Sequence, residues 1–249
     1  MANLGVYRSI TQVGTYEPFD LQVARGQIPG HEVVNVFGFS SATPNTGFIA
    51  AWENNTAYAF PTVASTMVVT SSSASDTAVT ILISGLDANY DRISESVAVN
   101  GTNAVTTTQV FFRIISAVTT AGNAVGTIYV KNAGGTTYAQ IAIGAGRTNM
   151  SIYTVPAGYT AYWTQFDSFA STAVTSGIFA TFRALLTSPS GVNNVTLSIP
   201  FINDFQVTRP YPIGYPEKTD VQWQNKSSGA GLAVGSLAIG VLVKNNFTG

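Results

Sequence analysis

The sequence predicts an all-β protein, and three observations lead there. The β-branched residues dominate, with 31 threonines and 26 valines against 10 leucines; they are stiff at χ1 and suit a pleated surface better than a helix. Only 5 glutamates and 4 lysines occur, too few to build exposed helical faces from i,i+4 charge pairs. Finally, 23 glycines and 10 prolines punctuate short runs, as turns between strands do. At 249 residues the chain is long enough for one large or two modest cores.

Residues 1–45 differ from the rest of the chain. They mix polarities, show no sustained alternation, and carry Pro18, Pro29 and Pro44, each of which removes a backbone donor and discourages continuous pairing. Arg8, Glu17, Asp20, Arg25, His31 and Glu32 are a good share of the chain's few charges. The aromatics Tyr7, Tyr16, Phe19, Phe37 and Phe39 are more than a frayed terminus needs. The segment therefore reads as an extended arm that orders against a partner. Tyr7, Tyr16, Phe19 and Phe37 are its expected partner-binding residues.

From about Thr62 the strand pattern becomes regular. Thr77–Ser84 alternates, with Val79, Ile81 and Ile83 on one face, and Arg92–Val99 alternates again after the loop Asp87–Asp91. Asn100-Gly101 is a pair favoured in two-residue type I′ turns. A further strand is expected over Thr107–Ser116, and a hairpin pairs Thr127–Lys131 with Thr137–Ile143 across Gly134-Gly135. Short connections between consecutive strands favour antiparallel pairing.

After Arg147 the rhythm changes. Tyr153–Gly158 ends in a turn, Tyr159–Phe166 is an aromatic-rich strand, and Gly177–Leu186, Val195–Ile199, Val221–Trp223 and Ser236–Val243 follow. The proline-spaced Pro210–Pro216 is a stiff crossing segment, which suits a Greek-key or jelly-roll route. The expected organisation is an arm over 1–45 and two antiparallel β-sandwich domains of jelly-roll or immunoglobulin-like type, over 46–145 and 146–249.

Composition excludes more chemistry than it suggests. Charged residues are 9% of the chain and the net charge is −1, against a norm of about 25% charged, so no basic field for nucleic acid is expected. Cysteine is absent and His31 is the one histidine, which removes disulfides, thiolate zinc and multi-histidine sites within one chain. No stretch reaches the ~18 apolar residues of a membrane helix. Gly229–Val243 comes nearest, and its alternation reads as a buried strand. The opening residues lack a basic patch and an apolar core, so no secretory leader is expected and the six N-x-S/T sequons reflect abundant Asn, Ser and Thr.

Candidate sites are correspondingly weak. Asp87-x-Asn89-x-Asp91 opens like a calcium loop, but Arg92 stands at its sixth position and Ala98 at its twelfth; a self-bonded polar turn is expected. Glu95 and Asp204 are unconvincing as paired carboxylates, and no G-x-S-x-G elbow accompanies His31. Gly144-Ala-Gly146 and Gly229-Ala-Gly231 lack the spacing or context of phosphate loops and read as turns. Tyr159, Tyr162, Trp163 and Phe166 form either a sugar-stacking face or part of a core or interface. No enzyme activity, metal or cofactor is expected.

Ser71–Ala117 carries S-S-S-A-x-D-T, then Gly85–Tyr90, the run Ser94–Thr102, and T-T-T-x-x-F-F-R over Thr106–Arg113. This segment resembles virion structural proteins of tailed bacteriophages, especially marine and cyanobacterial ones. Val125–Val130, Tyr153–Gly158 and Gly240–Val243 continue the likeness in the same order, over roughly 46–249. The resemblance implies a capsid decoration or cement protein, bound to the major capsid protein on the outer surface of the virion, and by analogy a homotrimer. The readings held beside it are a tail or fibre-tip protein binding host polysaccharide, and a neck or tail adaptor.

Overall fold

The computed structural model describes residues 17–170, 178–229 and 231–246. Helix α1 (Phe19–Ala24) precedes β1 (His31–Thr43), β2 (Ile49–Ala50), β3 (Ser65–Ser71), β4 (Thr80–Leu86), β5 (Arg92–Ala98) and β6 (Val105–Phe111). There follow β7 (Arg113–Ala121), β8 (Ile128–Lys131), β9 (Thr137–Ile141), β10 (Ile152–Thr154) and β11 (Tyr159–Ala170). The last are β12 (Ala180–Thr187), β13 (Asn193–Phe201), β14 (Asp204–Thr208), β15 (Gly214–Tyr215), β16 (Asp220–Ser227) and β17 (Leu232–Lys244). The strands form four antiparallel sheets, ordered β6-β3-β8-β9, β5-β4-β7, β1-β17-β11-β14 with β15 on β11, and β10-β16-β12-β13 with β2 on β16. The protein is all-β, as its threonine and valine content predicts.

Two apolar cores result. The first is filled from the β6-β3-β8-β9 and β5-β4-β7 sheets, with Met67, Val69, Ile81, Ile83, Phe111 and Ile128 fully enclosed. Alternation puts them there: β3 buries Met67, Val69 and Ser71, and β4 buries Ile81, Ile83 and Gly85. The second core lies between the other two sheets and is built on Trp163, Phe166, Phe182 and Trp223. Trp163 and Trp223 meet edge to face at 4.5 Å between centroids, a favoured aromatic geometry. β17, the apolar run near the end of the chain, is an interior strand between β1 and β11.

Three local expectations are corrected. Residues 31–43 are not an extended arm: β1 pairs with β17 from His31↔Val243 to Thr43↔Leu232. Val34 and Val36 pack on the second core, and Gly38 passes so close to β10 that a Cβ there would stand 2.3 Å from the Ser151 nitrogen. The strand expected over Thr107–Ser116 is two strands in different sheets. The chain turns between them at Phe112, whose amide bonds to the Leu86 carbonyl. Asn100-Gly101 does not form a type I′ turn, because positive φ is confined to Gly101; the turn is closed by the Asn103 amide on the Asn100 carbonyl.

Candidate functional site

The sequence-predicted partner residues do not converge. Tyr7 and Tyr16 lie outside the described residues. Phe19 on α1 is 46% exposed and meets the His31 ring edge-on at 6.1 Å. Phe37 stands on the outward face of β1, stacked on Phe169 at 6.3 Å with 12° between the planes. The Phe169 ring lies over Gly235, where a Cβ would approach it to 2.4 Å. Six residues of strand separate His31 from Phe37, about 20 Å at ordinary strand rise, so Phe19 and Phe37 mark two places.

The aromatic strand β11 divides its four candidate rings, leaving Tyr159 and Tyr162 partly exposed. Trp163 and Phe166 are 1% and 0% exposed and belong to the second core. They face the same way despite an odd spacing because β11 bulges between Trp163 and Gln165, which reverses the parity of the residues beyond. Tyr159 is half-buried beneath the Arg92 guanidinium, 4.5 Å from its ring centroid, and donates a 3.1 Å hydrogen bond to Glu32. Arg92 also binds Glu32 at 2.7 Å. Beside them is a groove of about 280 Å³ lined by Ser84, Arg92, Ile93, Ser94, Tyr153 and Pro156, where the two cores meet. Burial pushes the Tyr153 hydroxyl far above its ordinary pKa, so it stays a neutral hydrogen-bonding group.

Four of the carboxylates are occupied structurally, whereas Asp204 lies exposed on β14. Asp87 Oδ1 accepts the amides of Asn89 and Asp91, which makes the expected self-bonded turn. Glu95 accepts the amides of Thr108 and Gln109. Asp76 accepts the Ser71 hydroxyl and the amides of Val125 and Gly126; burial pushes its carboxyl up, but these bonds outweigh burial and hold it below the ordinary value. Glu53 accepts the Ala142 amide and the Asn149 side chain, and burial leaves its carboxyl above the ordinary value. Among the described residues no three of His, Cys, Asp and Glu are grouped to hold a metal ion. No described helix is long and apolar enough to cross a membrane.

The most elaborate polar site joins the two cores. Arg113, at the start of β7, makes a bidentate pair with Asp220 on β16, with Nε–Oδ1 2.9 Å and Nη2–Oδ2 2.8 Å. Its Nη1 donates to the carbonyls of Pro61 and Phe112, and Thr154 donates to Asp220. The guanidinium lies 4.0 Å over the Phe112 ring. Both side chains are nearly closed to solvent, at 7% and 9%. The pair is spent on protein partners, so the site fastens one half to the other and is not built to receive a ligand. Sequence reasoning missed it because its members are 107 residues apart and belong to no local motif.

Exposed apolar groups complete the surface. Tyr211 is 90% exposed between Pro210 and Pro212, with Ile213 57% exposed beside it. The outward face of the β1-β17-β11-β14 sheet is also apolar, with Val33, Phe37, Leu237, Ile239 and Val241 in register across β1 and β17. Surfaces of this kind suit protein contacts better than catalysis.

No family model matches the chain, and no curated protein matches it. Among solved structures, it aligns with infectious bursal disease virus of the Gx strain at 13% identity, covering 94% of this chain and 78% of that one, with a TM-score of 0.23. The VP2 subviral particle of the same virus aligns at 12% identity over 88% of this chain and 78% of that one, also at a TM-score of 0.23. At these scores the likeness supports neither a shared fold nor a shared function.

Proposed function

We propose that this chain is a virion structural protein of a tailed bacteriophage, acting as a decoration or cement protein on the outer surface of the major capsid shell. The support is the ordered set of sequence motifs from Ser71 to Val243 that resembles such proteins. The observation that favours cement over receptor binding is the burial of Trp163 and Phe166, which leaves only Tyr159 and Tyr162, both partly buried, of the four rings considered for a sugar. The carboxylates of Asp76, Asp87, Glu53 and Glu95 hold backbone amides instead of converging on a cleft. A protein that binds only the assembled shell stabilises it by mass action, and oligomeric binding multiplies the effect through effective concentration.

Cryo-electron microscopy of the intact particle tests this. The expected result is many copies on the outer shell, touching major capsid subunits through exposed apolar groups such as Phe19 and Tyr211. Density confined to a few copies at a tail or fibre tip would replace the cement reading with host recognition, and the groove at Arg92 and Tyr153 would become the first place to seek a sugar.

A further inference from the structure

The parity of β1 is fixed by one hydrogen bond. The Lys244 amide donates to the Gly30 carbonyl at 2.8 Å, and hydrogen-bonded pairs alternate along an antiparallel ladder, so even-numbered residues of β1 turn their backbone groups toward β17. The odd-numbered residues turn theirs the other way. Two bonds on that side agree: the His31 amide reaches the Ile28 carbonyl, and the Phe39 amide reaches the Asn149 carbonyl. Between them the backbone groups of Val33, Asn35 and Phe37 face an edge on which no described strand lies.

Edges left open in native sheets are usually blunted by charge, proline or a bulge. Among the other edges, β14 exposes Asp204, Gln206 and Thr208, β13 carries Pro200, and β5 carries Arg92 and Glu95. Residues 33–39 read Val-Val-Asn-Val-Phe-Gly-Phe, without charge or proline, and the register stays regular until Ser40. Val33 is 42% exposed.

We propose that this edge is a homotypic interface in which β1 of one copy pairs antiparallel with β1 of a second, about a twofold axis at Asn35. The occupant is a second copy because the stretch is self-complementary. The twofold sets Val33 opposite Phe37 of the partner subunit, a β-branched and aromatic pair of the favourable kind, and repeats it on the other side. It brings the two Asn35 amides together, each able to donate and to accept. All three outward residues fall at hydrogen-bonded positions, giving about six backbone bonds between copies. No like charges meet. The inference rests on β1 alone and is independent of the virion reading; it predicts a twofold pair where the family resemblance implies a trimer.

The absence of cysteine makes the test direct. Directly opposed residues at a hydrogen-bonded antiparallel position are about 5.5 Å apart between Cα atoms, within reach of a short bifunctional thiol reagent. Asn35→Cys is expected to be joined into a covalent dimer by such a reagent, while Gln206→Cys on the edge of β14 stays uncrosslinked. Light scattering of the unmodified chain at micromolar concentration is expected to give the mass of two copies. Val33→Lys, which puts a charge opposite the partner's Phe37, is expected to weaken dimerisation by about tenfold or more with the circular dichroism spectrum unchanged. A monomer or trimer for the unmodified chain, or a folded Asn35→Cys that does not crosslink, would overturn the proposal.

Discussion

Replacing Asp220 by asparagine is the sharpest test of how the two cores are held together. The amide keeps the shape but removes the charge and turns an N–H₂ group toward the Arg113 guanidinium, which has only donors. The Nε and Nη2 protons of Arg113, now bonded at 2.9 and 2.8 Å, then face a mismatched partner. The cation keeps the Pro61 and Phe112 carbonyls and the Phe112 ring, and none of these carries a formal charge. Leaving one member of a buried pair uncompensated typically costs about 3–5 kcal/mol. For a chain of this length 1 kcal/mol corresponds to roughly 2 °C in Tm, so differential scanning calorimetry should show a fall of about 6–10 °C. Because the pair spans the cores, the endotherm should also broaden or split. The double variant Arg113→Met/Asp220→Leu removes both charges and should recover most of the loss. A fall of less than about 2 °C for Asp220→Asn, or a double variant less stable than the single, would refute the view that this pair fastens the halves.

Asp76→Asn should destabilise the protein by about 2–3 kcal/mol at neutral pH, since the carboxylate accepts charge-assisted bonds from two amides and a hydroxyl. Its folded-state pKa is depressed, so that contribution is present above the unfolded carboxyl pKa of about 3.9 and is lost as pH falls through the folded value; denaturant melts of both proteins should converge toward the acid end. Gly38→Ala should leave little soluble protein, because the added methyl would stand 2.0 Å from the Ala51 carbonyl oxygen and 2.3 Å from the Ser151 amide, and backbone cannot yield as a side chain does. Deleting residues 1–45 should unfold the second sandwich by removing β1, whereas particle binding by a chain lacking only residues 1–16 measures what Tyr7 and Tyr16 contribute. Tyr211→Ala, at a side chain 90% exposed, should change stability by less than about 0.5 kcal/mol, so any loss of particle binding would report a contact.

Where one face of a strand is apolar and the other polar, the fold was legible from the residues. The β4-β5 hairpin is such a case, with Ile81 and Ile83 inward and Arg92, Ser94 and Ser96 outward. β1 was illegible because Val33 and Phe37 on the outward face are as apolar as Val34 and Val36 on the inward one, which erases the period of two. Pro29 and Pro44, read as interruptions, bracket the strand. The break between β6 and β7 was hidden in the run Val110–Ile115, apolar but for Arg113, since it depends on the Leu86 carbonyl and on Asp220 far along the chain. The aromatic run over Tyr159–Phe166 could be placed on a strand, but not which rings were buried, because the bulge that sets their parity leaves no mark in the residue pattern.

The pairing of β1 with β17 also governs the order in which the molecule is made. The first core draws on residues 50–152 and the second waits for Val234, Ala238 and Leu242. As the chain leaves the ribosome, the first sandwich can close around Met67 and Ile81 while β1, already synthesised, still has no neighbour. It stays unpartnered until the interior strand β17 arrives to join it to β11. Synthesis that stops before residue 232 is therefore expected to leave the second core unclosed, because Leu232, Val234, Ala238 and Leu242 belong to it. The surface formed by β1, β17 and β11 exists only on chains that have been read through, so an assembly that uses it would select against incomplete copies.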